Sequence, residues 1–343
     1  MRIILHIGPQ KTGTSYMQSV LFRHRRRLAE QGFAYHLPPL RDGLDPRGRP
    51  AVRSDLGELI GEGGFQRFER EVAAVRRRGF TCLIISAELL SKVRADQLEP
   101  IARLFAEDEV EVYAYIRRWS DRLPSAWWQR VSTGYGVPYP EWLAGMLEKA
   151  AGNWVVNESL LWRRFANQFG RKSIRLLSYD AMREAKVDLA EDFMRTRLGY
   201  TGLIKPRALE RDVHARPSPL EVEIIQQLYR ACAAETFTMS MPVKHRLLAE
   251  LRRANMEPFR TIAGGAVQDI VIDDNGPDFD VARTAMQDWA DRLVTADISP
   301  HLLLPQARAS RIVPRDALEV PAGRAAIADM LAAARALQAS QAA

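Results

Sequence analysis

The sequence predicts a three-layer α/β/α fold on a central, mainly parallel sheet, with helical additions toward the C-terminal end. Three observations predict it. From residue 2 to 180, short apolar runs alternate with segments of helical period, the pattern of strand–helix–strand crossovers. The run TCLIIS at 81–86 is apolar without alternation, as a strand buried on both faces must be. And the first run ends in a glycine-bearing turn that leads directly into a helix, the junction found where an open α/β sheet presents its carboxyl edge.

The elements follow in order. Residues 2–7 form the first strand, and Tyr16–Glu30 a helix with Met17, Val20, Leu21 and Leu28 on one side. Phe33–Leu37 is a second short strand. Residues 38–64, rich in Pro, Gly, Arg and Asp, lack periodicity and read as a long loop or lid. Phe65–Arg78 is helical, 81–86 a strand, 95–107 a helix, Val110–Ile116 a strand and 120–132 a helix. A Gly/Pro/Tyr loop covers 133–140. Leu160–Gln168 is helical with Gly170 as its stop, and Ser173–Leu177 is a strand. Beyond it, Glu191–Arg197, Pro219–Ala234 and His245–Met256 are helices, 268–274 is a late strand or a loop, and 325–343 is an Ala-rich helix or a frayed tail. Residues 1–300 are therefore expected to form one α/β domain, with 205–300 mostly helical and 301–343 as a C-terminal extension.

The 343 residues, 47% hydrophobic and 27% charged, are ordinary for a globular chain and exclude wholesale disorder or a collagen-like repeat. No apolar run reaches the roughly 18 residues of a membrane span. Two cysteines, Cys82 and Cys232, make no disulfide framework. The opening MRIILHIGPQ reads as a strand rather than a secretory signal, so a cytoplasmic location is expected. A net charge of +7 favours anionic ligands. No zinc-finger, basic-zipper or RNP-like pattern marks a nucleic-acid partner.

The strongest local signal is HIGPQKTGTSYMQ, residues 6–18. A strand, a tight loop and a helix start point backbone N–H groups and the positive helix end at one spot, an anion site. Thr12, Thr14 and Ser15 add hydroxyls and Lys11 a cation. Gly8 and Gly13 have the separation of a Walker A loop, but Thr14 stands where that loop has its lysine. The loop is P-loop-like in shape, with its charge moved to Lys11. A plain strand–turn–helix, using Gly and Thr for turn and cap, is the alternative.

Residues 11–15, KTGTS, resemble the 5′-phosphosulfate loop K-[ST]-G-T-[TS] of the PAPS-dependent sulfotransferase family in every place. The resemblance implies PAPS as co-substrate and PAP as product, with no metal required. It implies that Lys11 contacts the 5′-phosphate and the leaving oxygen, and that Thr12, Gly13, Thr14 and Ser15 cradle the phosphate. Tyr16 falls where cytosolic members carry a Trp that stacks on adenine. The family's second anchor, for the 3′-phosphate, is an Arg at a later strand end and a Ser eight residues on. VEVYAYIRRWSDRLPSAWWQR supplies Arg117 and Ser125 at that spacing, with Arg118 competing and a solvated arginine pair as the alternative. The third family stretch, RKGxxGDWKN, has no copy here. Residues 205–219 occupy its place in chain order, which makes Arg211 and Arg216 candidates. Its absence points to a bacterial or carbohydrate-type branch, and the resemblance covers residues 2–180 better than the remainder.

A transfer of this kind needs a base for the acceptor. Glu88 follows the buried strand and sits at the carboxyl edge of the sheet, where ligands of open α/β folds bind. The alternative is a helix-start carboxylate capped by Ser86. His36, near the second strand, competes, since carbohydrate sulfotransferases carry a Glu base after that strand. His6, inside the first strand, reads as a core residue. No HExxH, CxxC or EF-hand loop is present, so no metal site is expected, and DDNGPDFD at 273–280 reads as a solvated loop.

Six of the seven tryptophans lie between 119 and 162. At least half are expected to be core, with Tyr135, Tyr139 and the 133–140 loop as a rim for the acceptor. Arg41, Arg47, Arg49 and Arg53 of the long loop favour an anionic acceptor or are simply solvated. The function expected is sulfuryl transfer from PAPS to a hydroxyl or amine of a small molecule, a carbohydrate or a glycolipid, a membrane-surface acceptor included. A nucleotide-dependent kinase and a non-catalytic PAP-binding protein are the alternatives.

Overall fold

The structure, a computed structural model, describes residues 1–9, 11–35, 64–204, 217–293 and 306–342. They group into two compact units. One comprises the described residues of Met1–Arg118, Lys149–Arg211 and Asn275–Pro305; the other those of Trp119–Glu148, Asp212–Asp274 and Gln306–Ala343. The units interleave along the chain, so no single cut in the sequence separates them.

The first unit is built on five parallel strands: β1 (Arg2–His6), β2 (Phe33–Tyr35), β3 (Cys82–Ser86), β4 (Glu109–Ile116) and β5 (Ile174–Ser178). Their order is β2-β3-β1-β4-β5. Each crossover is helical, as parallel pairing requires; the first is α1 (Thr14–Glu30). Ile3, Ile4 and Leu5 of β1 and all of Cys82–Ser86 are buried. That burial on both faces explains why the central strands read as unbroken apolar runs. On one face Ile4, Ile84, Tyr113 and Tyr115 pack with Met17, Val20 and Leu21 of α1 and with Phe193 and Met194.

This topology decides where a ligand fits. From β1 the chain passes β3 to reach β2, returns to β3, then crosses β1 to β4. The register pairs His6 with both Ser86 and Tyr113. The loops leaving β1, β3 and β4 therefore emerge at one carboxyl edge around the point where the strand order reverses, the usual ligand crevice of open α/β sheets.

The second unit contains α2 (Trp119–Val131), α3 (Tyr139–Glu148), α4 (Pro219–Ala234), α5 (Met241–Arg253), an antiparallel ribbon of β6 (Gln268–Asp273) and β7 (Ala307–Ile312), and α6 (Pro321–Ala342). Leu228 and Cys232 of α4, Val243 and Leu247 of α5, and Leu331 and Ala334 of α6 form its core. Ser218 starts α4, its hydroxyl accepting from the Glu221 N–H at 3.2 Å, with Pro219 at the first helical position. The alanine-rich segment is thus a helix of this unit, and residues 139–148, partly expected as loop, are helical.

One expectation fails in this unit. Asp274, in the acidic run expected to be a solvated loop, is fully buried. It accepts from the backbone N–H of Ser120 at 2.7 Å, the Ser120 hydroxyl at 2.6 Å and the Gln306 N–H at 3.1 Å. A carboxylate among these donors at the start of α2 is held by charge-assisted bonds and by the positive helix end. Further on, Pro277–Phe279 is a helical turn and Asp280–Ala290 a helix of the first unit. Among the described residues, no helix is long and apolar enough to cross a membrane.

Candidate functional site

The loop after β1 turns twice within three residues. Lys11 (φ 72°) and Gly13 (φ 83°) both have left-handed backbone. Glycine suits position 13 for a second reason: a Cβ there would lie 2.5 Å from Leu189 Cδ2. The Thr12 hydroxyl donates to the Pro9 carbonyl at 2.7 Å, which closes the loop. At Gly8 a Cβ would fall 2.5 Å from Thr14 Oγ1, 3.3 Å from His6 Nε2 and 3.4 Å from Thr12 Oγ1. The missing side chain lets three polar atoms approach the turn.

Two of those atoms have no partner among the described residues. Thr14, 3% exposed, has its Oγ1 buried and unbonded, and so does His6 at Nε2. Buried polar atoms are normally satisfied, so an orphan hydroxyl at the first residue of a 17-residue helix marks a place built for a polar ligand. Ser15 is exposed beside it. The set fits a phosphate: helix N–H groups, a hydroxyl and a cation.

Lys11 supplies the cation. Burial holds its ammonium below the ordinary lysine value; Glu88 opposes that shift, and Arg117 adds to it by like-charge repulsion. Lys11 is therefore within electrostatic reach of both Glu88 and Arg117, although the three follow three different strands. Arg117, past the end of β4, donates from Nη1 to the Lys11 carbonyl at 2.7 Å. Its guanidinium lies 5.2 Å from the ring centre of Tyr179, which follows β5 and also approaches Gly13.

The two arginines at the end of β4 differ in their surroundings. Arg118, 2% exposed, faces the fully buried Asp180 at 3.4 Å and Glu184 at 3.5 Å. Its backbone N–H also donates to Asp180 at 2.6 Å. Arg118 thus faces carboxylates, while Arg117 reaches the loop.

Glu88 is half-buried and opens a short 3-10 turn, Glu88–Lys92. Ser86 does not cap it: the residue before the turn is Ala87, with no side-chain cap. The Ser86 hydroxyl instead meets His6 Nδ1 at 2.7 Å. His6 is fully buried, and burial lowers its imidazole to about 4, so the ring is neutral. Gln18 of α1 ties the arrangement by donating to the Ser86 carbonyl at 2.8 Å. Gln18 and Tyr179 carry no motif signal; Gln18 is recognisable only as a polar residue on the buried face of its helix.

The Tyr16 hydroxyl donates to Asp188, which also caps the turn at Ala190 and Glu191, and its ring packs partly buried against the core. Ser125 lies half-buried on α2, in the second unit. His36, Arg211 and Arg216, and Arg41, Arg47, Arg49 and Arg53, lie outside the described residues. Trp119 and Trp162 are fully buried and Trp127 and Trp142 nearly so, as the core reading expects. Among the described residues no cluster of His, Cys, Asp or Glu is arranged to hold a metal ion.

Neither a family model nor a curated protein matches this chain. Among solved structures, a sulfotransferase from Alicyclobacillus acidocaldarius is similar to it at 15% identity and a TM-score of 0.38, over 67% of this chain and 90% of that one.

Proposed function

We propose that this protein transfers a sulfuryl group from PAPS to a hydroxyl or amine of an acceptor, with PAP as the second product, and that the acceptor is a small molecule or the sugar of a carbohydrate or glycolipid. The single observation that carries the reading is the 2.7 Å bond from Arg117 Nη1 to the Lys11 carbonyl. It joins two motifs that are 106 residues apart and that the sequence reads separately as anchors for the two phosphate ends of one nucleotide.

The chemistry needs in-line geometry and charge stabilisation more than covalent work by the protein. In the proposed step, Glu88 takes the proton as the acceptor oxygen or nitrogen bonds to sulfur. The bond from sulfur to the bridging oxygen breaks, and its electron pair stays on the 5′-phosphate of PAP. Lys11 offsets that charge. The Thr14 hydroxyl and the N–H groups at the start of α1 hold the phosphate, and Arg117 serves the 3′-phosphate. Ser125 and Tyr16 enter on the sequence motif alone.

The test pairs thermal shift with PAP release. PAP at about 100 times its dissociation constant should stabilise the wild type by about 2.7 kcal/mol. Lys11→Ala should lower PAP release roughly 100-fold or more while the protein stays folded. A melt raised by ATP with Mg²⁺ but not by PAP would replace this reading with a kinase. PAP binding without release across an acceptor panel would leave a binding protein.

A further inference from the structure

The second unit holds a cavity of about 440 Å³, within the range of small-molecule sites. Its wall is aromatic on one side, with Trp127 and Trp128 of α2 and Tyr139 of α3. Trp127 and Tyr139 lie 5.1 Å apart between ring centres. Trp127 is fixed by its indole N–H, which donates to the Val137 carbonyl at 3.0 Å, and Gln226 of α4 donates to the same oxygen at 3.0 Å. The aromatic wall is thus preformed and braced.

The lining also includes Val222 and Glu223 of α4 and Ser310 of β7. Glu223 is 5% exposed. Gln227 Nε2 donates to its Oε1 at 2.9 Å, and Arg230 Nη1 stands 3.6 Å from the same oxygen. Among the described residues Oε2 accepts no hydrogen bond, and the Ser310 hydroxyl, 4% exposed, has no partner. A carboxylate oxygen without a donor among those residues, lining an aromatic cavity, is open to a donor from a ligand. Carboxylate and ring faces together are the chemistry that recognises an ammonium on a ring-bearing molecule.

We propose that this cavity binds a compact ring-bearing organic amine, with its ring against Trp127, Trp128 and Tyr139 and its ammonium at Glu223 Oε2. Four carboxylates, Glu223, Glu319, Asp269 and Glu141, stand against three guanidinium groups, so an ionised Glu223 leaves one negative charge for a further cation. Arg230 faces Glu223, Arg315 is paired with Glu319, and Arg311 on the cavity wall lies 3.5 Å from Asp269. Burial raises the Glu223 carboxyl to about 7, against the opposing pull of Arg230 and Gln227, so binding should strengthen as this group ionises. The inference is independent of the nucleotide reading, and its test contains no nucleotide.

Calorimetric titration of three near-isosteric probes decides it: 2-phenylethylamine, 2-phenylethanol and phenylacetate. At about pH 8 the amine should bind roughly tenfold or more tighter than the alcohol, and phenylacetate weakest. Amine affinity should fall roughly tenfold toward pH 6, as a carboxyl titrating near neutrality takes up its proton. Glu223→Gln should reduce the amine to the level of the alcohol and leave the alcohol unchanged. Val222→Trp, which fills the space, should abolish binding of all three while circular dichroism shows a folded chain. Equal affinity for amine and alcohol, indifference to Glu223→Gln, or no heat with any probe on folded wild type would overturn the proposal.

Discussion

Adjacent arginines at the end of β4 have opposite fates. Arg118 is sealed against Asp180, while Arg117 reaches the loop carbonyl of Lys11. Removing a buried partner leaves the other charge stranded, at about 3–5 kcal/mol. Arg118→Ala should therefore lower stability by about that amount in urea unfolding. Arg117→Ala, which leaves no buried charge stranded, should cost less, about 1–2 kcal/mol, and should cancel the melting shift that PAP gives the wild type. Both variants losing the PAP shift at unchanged stability would remove the distinction. The sequence shows the arginine pair but not which member turns inward; that depends on Asp180, which follows another strand and has no motif of its own. His6 was legible as a core residue, since it stands in the apolar run of β1. Its pairing with Ser86 across the sheet was not, because register is a property of two strands together.

Elements differ in how plainly they announce themselves. Strands β1, β3 and β4 were legible because burial on both faces demands unbroken apolar runs. Strand β7, ARASRI, is exposed at alternate positions with only Ser310 buried, so it carries no hydrophobic signal. Helix Asp280–Ala290 did carry one, with Ala282, Met286 and Trp289 buried at helical spacing. The acidic turn before it obscures the start. The same turn hides Asp274, whose role depends on a helix far away in sequence. Asp274→Ala would strand the Ser120 N–H, the Ser120 hydroxyl and the Gln306 N–H. Each buried unsatisfied group costs about 1–3 kcal/mol, so unfolding should show a loss of several kcal/mol, with the amides of the first turn of α2 exchanging faster with solvent. A change below about 0.5 kcal/mol would mean that the carboxylate is dispensable.

At the scale of the whole molecule, two buried groups pull stability in opposite directions with pH. His6 takes its proton near 6.5 when unfolded but only at about 4 when folded. The unfolded chain therefore binds more protons between these values, and the His6 contribution is lost as pH falls through that window. Glu223 is the reverse: it is near 4.5 unfolded and about 7 folded, so its contribution is lost as pH rises through that window. Each amounts to about 3 kcal/mol. Relative to wild type, His6→Asn should gain stability as pH falls from 6.5 toward 4, and Glu223→Gln should gain as pH rises from 4.5 toward 7. Urea titrations across that range check both, and parallel curves for wild type and variants would refute the assignment. The sequence gives no hint of this opposition. A histidine in a strand and a glutamate in a helix look ordinary until packing decides which is dry.

The bond between Ser120 and Asp274 spans 154 residues, and that distance has a consequence for synthesis. A ribosome finishes every strand of the parallel sheet by Ser178, while the opening turn of α2 still waits for the carboxylate that will hold it. For those 154 residues of synthesis the first turn of α2 lacks the acceptor that its Ser120 N–H and hydroxyl find in the finished chain. A chain cut before Asp274 should therefore leave the start of Trp119–Val131 unheld, with the indoles of Trp127 and Trp128 on it.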